Sequence, residues 1–138
     1  MGEPSHLLPI HATRLRQLGV TALYLFGSRA LAQQGPLSDY DYAVLLPAQG
    51  HQRGDRLYHQ LYDLLTEISP RTLTNDVIDI VFLRDAPLEL QFHVIRHGQV
   101  LFDVDPLARL RFEERTMLLY CDYRPVLDAF DKAILQSL

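Results

Sequence analysis

A glycine–serine pair, Gly27-Ser28, ends one strand-like run, and two aspartates, Asp39 and Asp41, open the next. Residues two apart on a strand point to the same face, about 7 Å apart along the chain. Carboxylates held this way repel one another unless a cation lies between them. A third carboxylate, Asp79, sits within Asp76–Leu83, a run whose neighbouring positions are apolar. A lone carboxylate on such a face is costly without a partner. Gly27 permits a tight turn and a close approach of backbone to ligand. Ser28 offers a hydroxyl and a backbone N–H at the start of a short helix, where phosphate binds well. The set implies Mg²⁺ beside a phosphate site, the apparatus of phosphoryl or nucleotidyl transfer. In such two-metal chemistry a carboxylate such as Asp79 serves the attacking hydroxyl, while the leaving pyrophosphate is steadied on the other side. Arg29 is a candidate phosphate contact, because a guanidinium suits that geometry. Each feature has a plainer reading. Gly-Ser after a strand is common, an Asp pair at a strand start can cap a turn, and Arg29 can face solvent. Their order and spacing favour the chemical reading.

The elements that must position these residues follow from the pattern. His6–Leu18 reads as a helix with Leu7, Ile10, Leu15 and Leu18 inward, stopped by Gly19. Val20–Phe26 and Asp39–Leu46 read as strands, with a short helix over 29–33 between them and Pro47 ending the second. Pro47–Gly54 is a surface loop. Asp55–Ile68 is an amphipathic helix, with Leu57, Leu61, Leu64, Leu65 and Ile68 on one face. Asp76–Leu83 is the third strand, Pro87–Arg96 a helix, and Gln99–Phe102 a short edge strand. A helical region opens at Asp105-Pro106, and Arg124-Pro125 is expected to break or kink it. The order implies an α/β fold, a mixed sheet of about four strands packed by helices.

The whole chain, 138 residues, reads as one domain with no repeat and no boundary. Its net charge of −4 speaks against an autonomous nucleic-acid binder. No apolar run is long enough to span a bilayer, and the first residues lack the pattern of a signal peptide. The single cysteine, Cys121, fits a reducing cytoplasm and reads as a buried small hydrophobe. His93 and His97 stand at a spacing that can bind zinc, but no third ligand is evident, and a surface pair near a helix end is the better reading. Tyr58 and Tyr62, four apart, are expected to pack.

Leu25-Phe26-Gly27-Ser28-Arg29-Ala30, then Ser38-Asp39-Tyr40-Asp41-Tyr42-Ala43-Val44, then Ile78-Asp79-Ile80-Val81 resembles the polymerase-β-type nucleotidyltransferase superfamily. Within it the chain is similar to the minimal nucleotidyltransferase (MNT) antitoxins of HEPN/MNT toxin–antitoxin pairs. That similarity runs through Glu89-Leu90-Gln91-Phe92, Gly98-Gln99-Val100-Leu101-Phe102, Phe112-Glu113 and Tyr120-Cys121-Asp122-Tyr123-Arg124-Pro125. The resemblance implies a polymerase-β-like fold. It implies that Gly27, Ser28, Arg29 and Ser38 bind nucleotide, and that Asp39, Asp41 and Asp79 form the catalytic, Mg²⁺-ligating triad. It also implies transfer of AMP from ATP to a tyrosine of a HEPN ribonuclease toxin, which silences it, with no direct nucleic acid and no membrane. One departure stands out: many relatives continue the turn as Ala-Arg-Gly, where this chain has Ala30-Leu31-Ala32. Two alternatives remain open at this point. One is a binding antitoxin that masks its toxin without chemistry. The other is a transferase acting on a small molecule such as an aminoglycoside. A chain this short leaves no room for an acceptor-binding domain, so the acceptor is expected to be delivered by a partner protein. The apolar positions between Phe112 and Leu138 are expected to cover the sheet, with docking of that partner as the other reading.

Overall fold

In the computed structural model the described residues are 7–27, 40–69 and 78–136. Among them the chain runs α1 (Pro9–Gln17), β1 (Ala22–Phe26), β2 (Tyr40–Leu45), α2 (Arg56–Ile68), β3 (Ile78–Phe82), α3 (Leu88–His97), β4 (Gln99–Asp103) and α4 (Pro106–Gln136). A single 3₁₀ turn, Leu83–Asp85, follows β3 directly. The strands form one mixed sheet in the order β3-β2-β1-β4. β1 pairs antiparallel with β2 and β4, and β2 pairs parallel with β3. The expected α/β class and the mixed four-stranded sheet are both present, with β4 at an edge.

Strand alternation divides the core in two. Leu23, Leu25, Tyr40, Tyr42, Val44, Ile78, Ile80 and Phe82 pack against α1 and α2. Ala22, Tyr24, Phe26, Ala43 and Leu45 pack against α3 and α4 through Val94 and Phe112. Leu61 and Leu65 of α2 are fully buried, and each such side chain stabilises the fold by about 1.5–3 kcal/mol. The α2 N-terminus is fixed by Asp55, whose carboxylate accepts from the Tyr58 N–H at 2.8 Å. Its C-terminus is fixed from the sheet. Ser69 Oγ donates to Leu65 O at 2.6 Å, so the Tyr42 hydroxyl, 2.6 Å away, donates to Ser69 Oγ.

α4 is tied down by a charged cluster. Arg109 Nε donates to Asp103 at the end of β4 and Nη1 to Glu113, which also accepts from the Tyr24 hydroxyl at 2.8 Å. Burial first, and the Glu113 carboxylate second, push the Tyr24 phenol far above its ordinary range. The hydrogen bond to Asp103 raises the already basic Arg109 further.

Four expectations need correction. α1 begins at Pro9 rather than His6, which lies outside the described residues; proline pre-sets the first-turn dihedral and has no N–H to leave unsatisfied. Its inward face carries His11 and Leu15, while Ile10 is exposed. His11 tolerates burial because its Nδ1 accepts from the Leu8 N–H at 3.1 Å. Pro125 does not divide the last helix: α4 is continuous through it. The carbonyl that loses its partner there belongs to Cys121 on an exposed stretch, where water can satisfy it. Cys121 itself is exposed, not buried. The first half of α4 covers the sheet through Phe112 and Thr116, as expected. From Cys121 onward the described side chains face outward. No described helix is long and apolar enough to cross a membrane.

Candidate active site

The described part of the site lies where β1 ends and β2 and β3 begin. In register, Asp41 is the cross-strand partner of both Phe26 on β1 and Asp79 on β3. Adjacent strands stand about 4.8 Å apart, so the two aspartates are lateral neighbours. Both fall on the sheet face that packs against α3 and α4, since Ala43 and Val81 follow them at strand spacing. Residues far apart in sequence, 41 and 79, are thereby brought together as the pattern predicts.

Gly27 follows Phe26 directly and turns the chain with φ +81°. A Cβ built there would run into the Asp41 carboxylate, and would stand 3.3 Å from its Cγ and 3.6 Å from its Cβ. The glycine is needed twice over. Only a residue without a side chain accepts that φ readily, and only its bare Cα leaves the space that the Asp41 carboxylate fills. At the same end of the sheet, Gly98 closes α3 near Leu25 O, and the His93 ring meets Phe26 edge-on at 6.4 Å. His93 and His97 lie 5.1 Å apart, ring to ring. Among the described residues no group of three His, Cys, Asp or Glu side chains is placed to hold a metal.

Asp79 resolves the cost of a carboxylate on an apolar strand through solvent and a partner. β3 is an edge strand, the Asp79 side chain is 39% exposed, and its Oδ1 accepts from Arg53 Nη1 at 2.8 Å. Arg53 comes from the loop between β2 and α2. Sequence reasoning treated that loop as surface only, and no local signal marks the arginine: its link to Asp79 exists only in the folded chain. Gly27, Asp41 and Asp79 are thus placed together. Ser28, Arg29, Ser38 and Asp39 lie outside the described residues, as do the short helix expected over 29–33 and the Ala30-Leu31-Ala32 turn.

The donor set suits a divalent cation. Two carboxylates side by side offer hard oxygen ligands, and the Arg53 guanidinium balances the charge of one of them.

A strand-turn glycine, a carboxylate packed against it and a second carboxylate in register on a parallel strand are the placement that the resemblance to polymerase-β-type nucleotidyltransferases implies. The family comparison agrees. Residues 10–107 match the family described as polymerase beta, nucleotidyltransferase, and the chain belongs to that family. The chain also resembles several solved structures. One is a chain of a toxin–antitoxin with AMP-PNP, with a TM-score of 0.67, 24% identity, and coverage of 89% of this chain and 94% of that one. Another, a mutant of the toxin–antitoxin MntA-HpeT, gives 0.66 and 25% identity over 89% of this chain and 93% of that one. A third comes from a tri-AMPylated HEPN toxin of Shewanella oneidensis in complex with MNT antitoxin. It gives 0.61 and 19% identity over 91% of this chain and 97% of that one. Among curated protein sequences none matches this chain.

Proposed function

We propose that this chain, acting as one domain in the cytoplasm, is the antitoxin of a type VII toxin–antitoxin pair. Its activity is transfer of AMP from ATP to a tyrosine hydroxyl of a HEPN ribonuclease toxin, which silences the toxin. The observation that carries the reading is the register of Asp41 with Asp79 beside the bare Cα of Gly27. The family supports nucleotidyl transfer. The AMP-PNP in one similar structure and the AMPylated toxin in another support the nucleotide, the product and the partner.

In this reading Asp39, Asp41 and Asp79 hold Mg²⁺, and Gly27, Ser28, Arg29 and Ser38 hold the nucleotide phosphates. Bound there, Mg²⁺ neutralises phosphate charge and lowers the cost of forming an alkoxide-like nucleophile. The tyrosine hydroxyl gives up its proton to the Asp79 carboxylate, its oxygen attacks the α-phosphorus, the bond to the pyrophosphate oxygen breaks in line, and pyrophosphate leaves. Gly27 gives the phosphates a close backbone approach. Asp41, fixed against that turn, and Asp79, on the edge strand, face the reacting groups from one side of the sheet. The edge position leaves Asp79 open to an acceptor that arrives from solvent on another protein.

The test mixes the purified chain, the product of the adjacent gene, ATP and Mg²⁺, and reads the partner by intact-mass spectrometry. The partner gains mass in AMP units. Asp41→Asn lowers the rate by about 10³-fold, the equivalent of about 4 kcal/mol of lost transition-state stabilisation. A partner that gains no mass, yet loses its ribonuclease activity in a stable complex, would replace this reading with an antitoxin that masks its toxin by binding.

A further inference from the structure

The loop between β2 and α2 is not a loose connection. Asp85, at the end of the 3₁₀ turn that follows β3, accepts from the backbone N–H of Gly50 at 2.9 Å and of His51 at 3.3 Å. The Gln49 side chain donates to Arg84 O at 3.1 Å. Asp55 closes the far end by accepting from the Gln52 N–H at 3.1 Å. The loop is therefore pinned on both sides of the segment that carries Arg53. The guanidinium rests 5.6 Å from the centre of the Tyr58 ring and reaches Asp79 Oδ1 at 2.8 Å. A cation is thus delivered by a fixed loop to one member of a carboxylate pair, where like charges otherwise oppose each other.

We propose that Arg53 is a positioning residue for Asp79. Its guanidinium holds the carboxylate oriented and charge-balanced, and a divalent cation bound at Asp79 meets that positive charge, so that arginine and metal compete for one carboxylate. This rests on the reading of Asp79 as a metal ligand given above. An arginine serves this role well, because it stays charged at every relevant pH and its stacked guanidinium can withdraw along the Tyr58 ring without leaving the loop. Both side chains are open to solvent, 69% for Arg53 and 39% for Asp79. An ion pair so exposed is weak, which makes it displaceable and bounds its effect on metal affinity at about fivefold.

The experiment is a Mn²⁺ titration of the full chain without nucleotide, with free Mn²⁺ read by electron paramagnetic resonance. Far-UV circular dichroism first verifies that each variant is folded. Arg53→Gln binds Mn²⁺ about two- to fivefold tighter than the parent, and Arg53→Lys, which keeps the charge, stays near the parent. Asp79→Asn binds more weakly, and adding Arg53→Gln to it brings no gain. If Asp79→Asn weakens binding while Arg53→Gln leaves it unchanged, the competition is overturned and Asp79 stands as a ligand. If Asp79→Asn binds as the parent does, the ligand role of Asp79 falls, and the competition with it. A gain from Arg53→Gln of equal size in both backgrounds reflects net charge alone and also overturns the proposal.

Discussion

Gly27→Ala separates two costs that the structure places on one atom. The first is backbone strain. At φ +81° an L-residue is in the left-handed region, which costs roughly 1–2 kcal/mol in folding free energy. The second is contact. The new Cβ falls on the Asp41 carboxylate and 3.3 Å from its Cγ, so that carboxylate must shift. A displacement on the order of 1 Å in a reacting group can cost about 10²-fold in rate. Gly19 supplies the control. It has φ +84°, nearly the same strain, and nothing within 4 Å of its built Cβ. Urea denaturation of Gly27→Ala and Gly19→Ala is expected to show comparable losses, roughly 1–2 kcal/mol each. Intact-mass kinetics of AMP transfer, at a temperature where both variants are folded, is expected to show about a 10²-fold loss for Gly27→Ala only. Equal transfer rates for the two variants would refute the reasoning, because the close approach to Asp41 would then have no consequence for the chemistry.

Two further perturbations test what holds the site in place. Arg109→Leu strips the partner from Asp103 and Glu113 and is expected to cost about 3 kcal/mol, read as a lower urea midpoint with near-UV circular dichroism reporting Tyr24; a loss under about 0.5 kcal/mol would show the cluster to be incidental. Asp55→Ala removes the α2 cap and is expected to cost about 1 kcal/mol at pH 7. The Tyr58 and then the Gln52 N–H hold the Asp55 carboxyl below its usual range. Its folded-state pKa is thus lower than its unfolded one, so this stabilisation is complete above about pH 4 and is lost as the pH falls below that. The parent and Asp55→Ala should therefore converge in stability at strongly acid pH, and a difference that persists there would exclude the carboxylate as its source.

The chain's local pattern was enough to read most of the scaffold. Val20–Phe26 was legible from its β-branched and aromatic content, while alternation in Asp76–Leu83 and the apolar face of Asp55–Ile68 rest on periodicity, which is local and strong where one face is buried. Gly27, Asp41 and Asp79 were legible for a related reason: a turn glycine and carboxylates at strand spacing are departures from the apolar pattern around them. Local reasoning failed where the outcome depends on what lies beyond the element. Pro125 is a helix breaker by its own chemistry, yet α4 runs through it, since an exposed carbonyl can turn to water. Cys121 reads as a core residue by type and is exposed, because α4 extends past the sheet it covers. Ile10, expected inward, is exposed, and His11 takes an inward place because the Leu8 N–H satisfies its imidazole.

The sequence by itself determined the elements and the residue types of the site, because backbone preference and burial of one face act over a few neighbouring residues. Tertiary structure alone decided three things: that β2 and β3 pair parallel with Asp41 opposite Asp79, that the Asp41 carboxylate occupies the space a Gly27 side chain would take, and that Arg53 reaches Asp79. Those are matters of strand order, register and loop anchoring. They are fixed by the packing of the whole sheet and by Asp85 on a distant turn, so no window of sequence holds them.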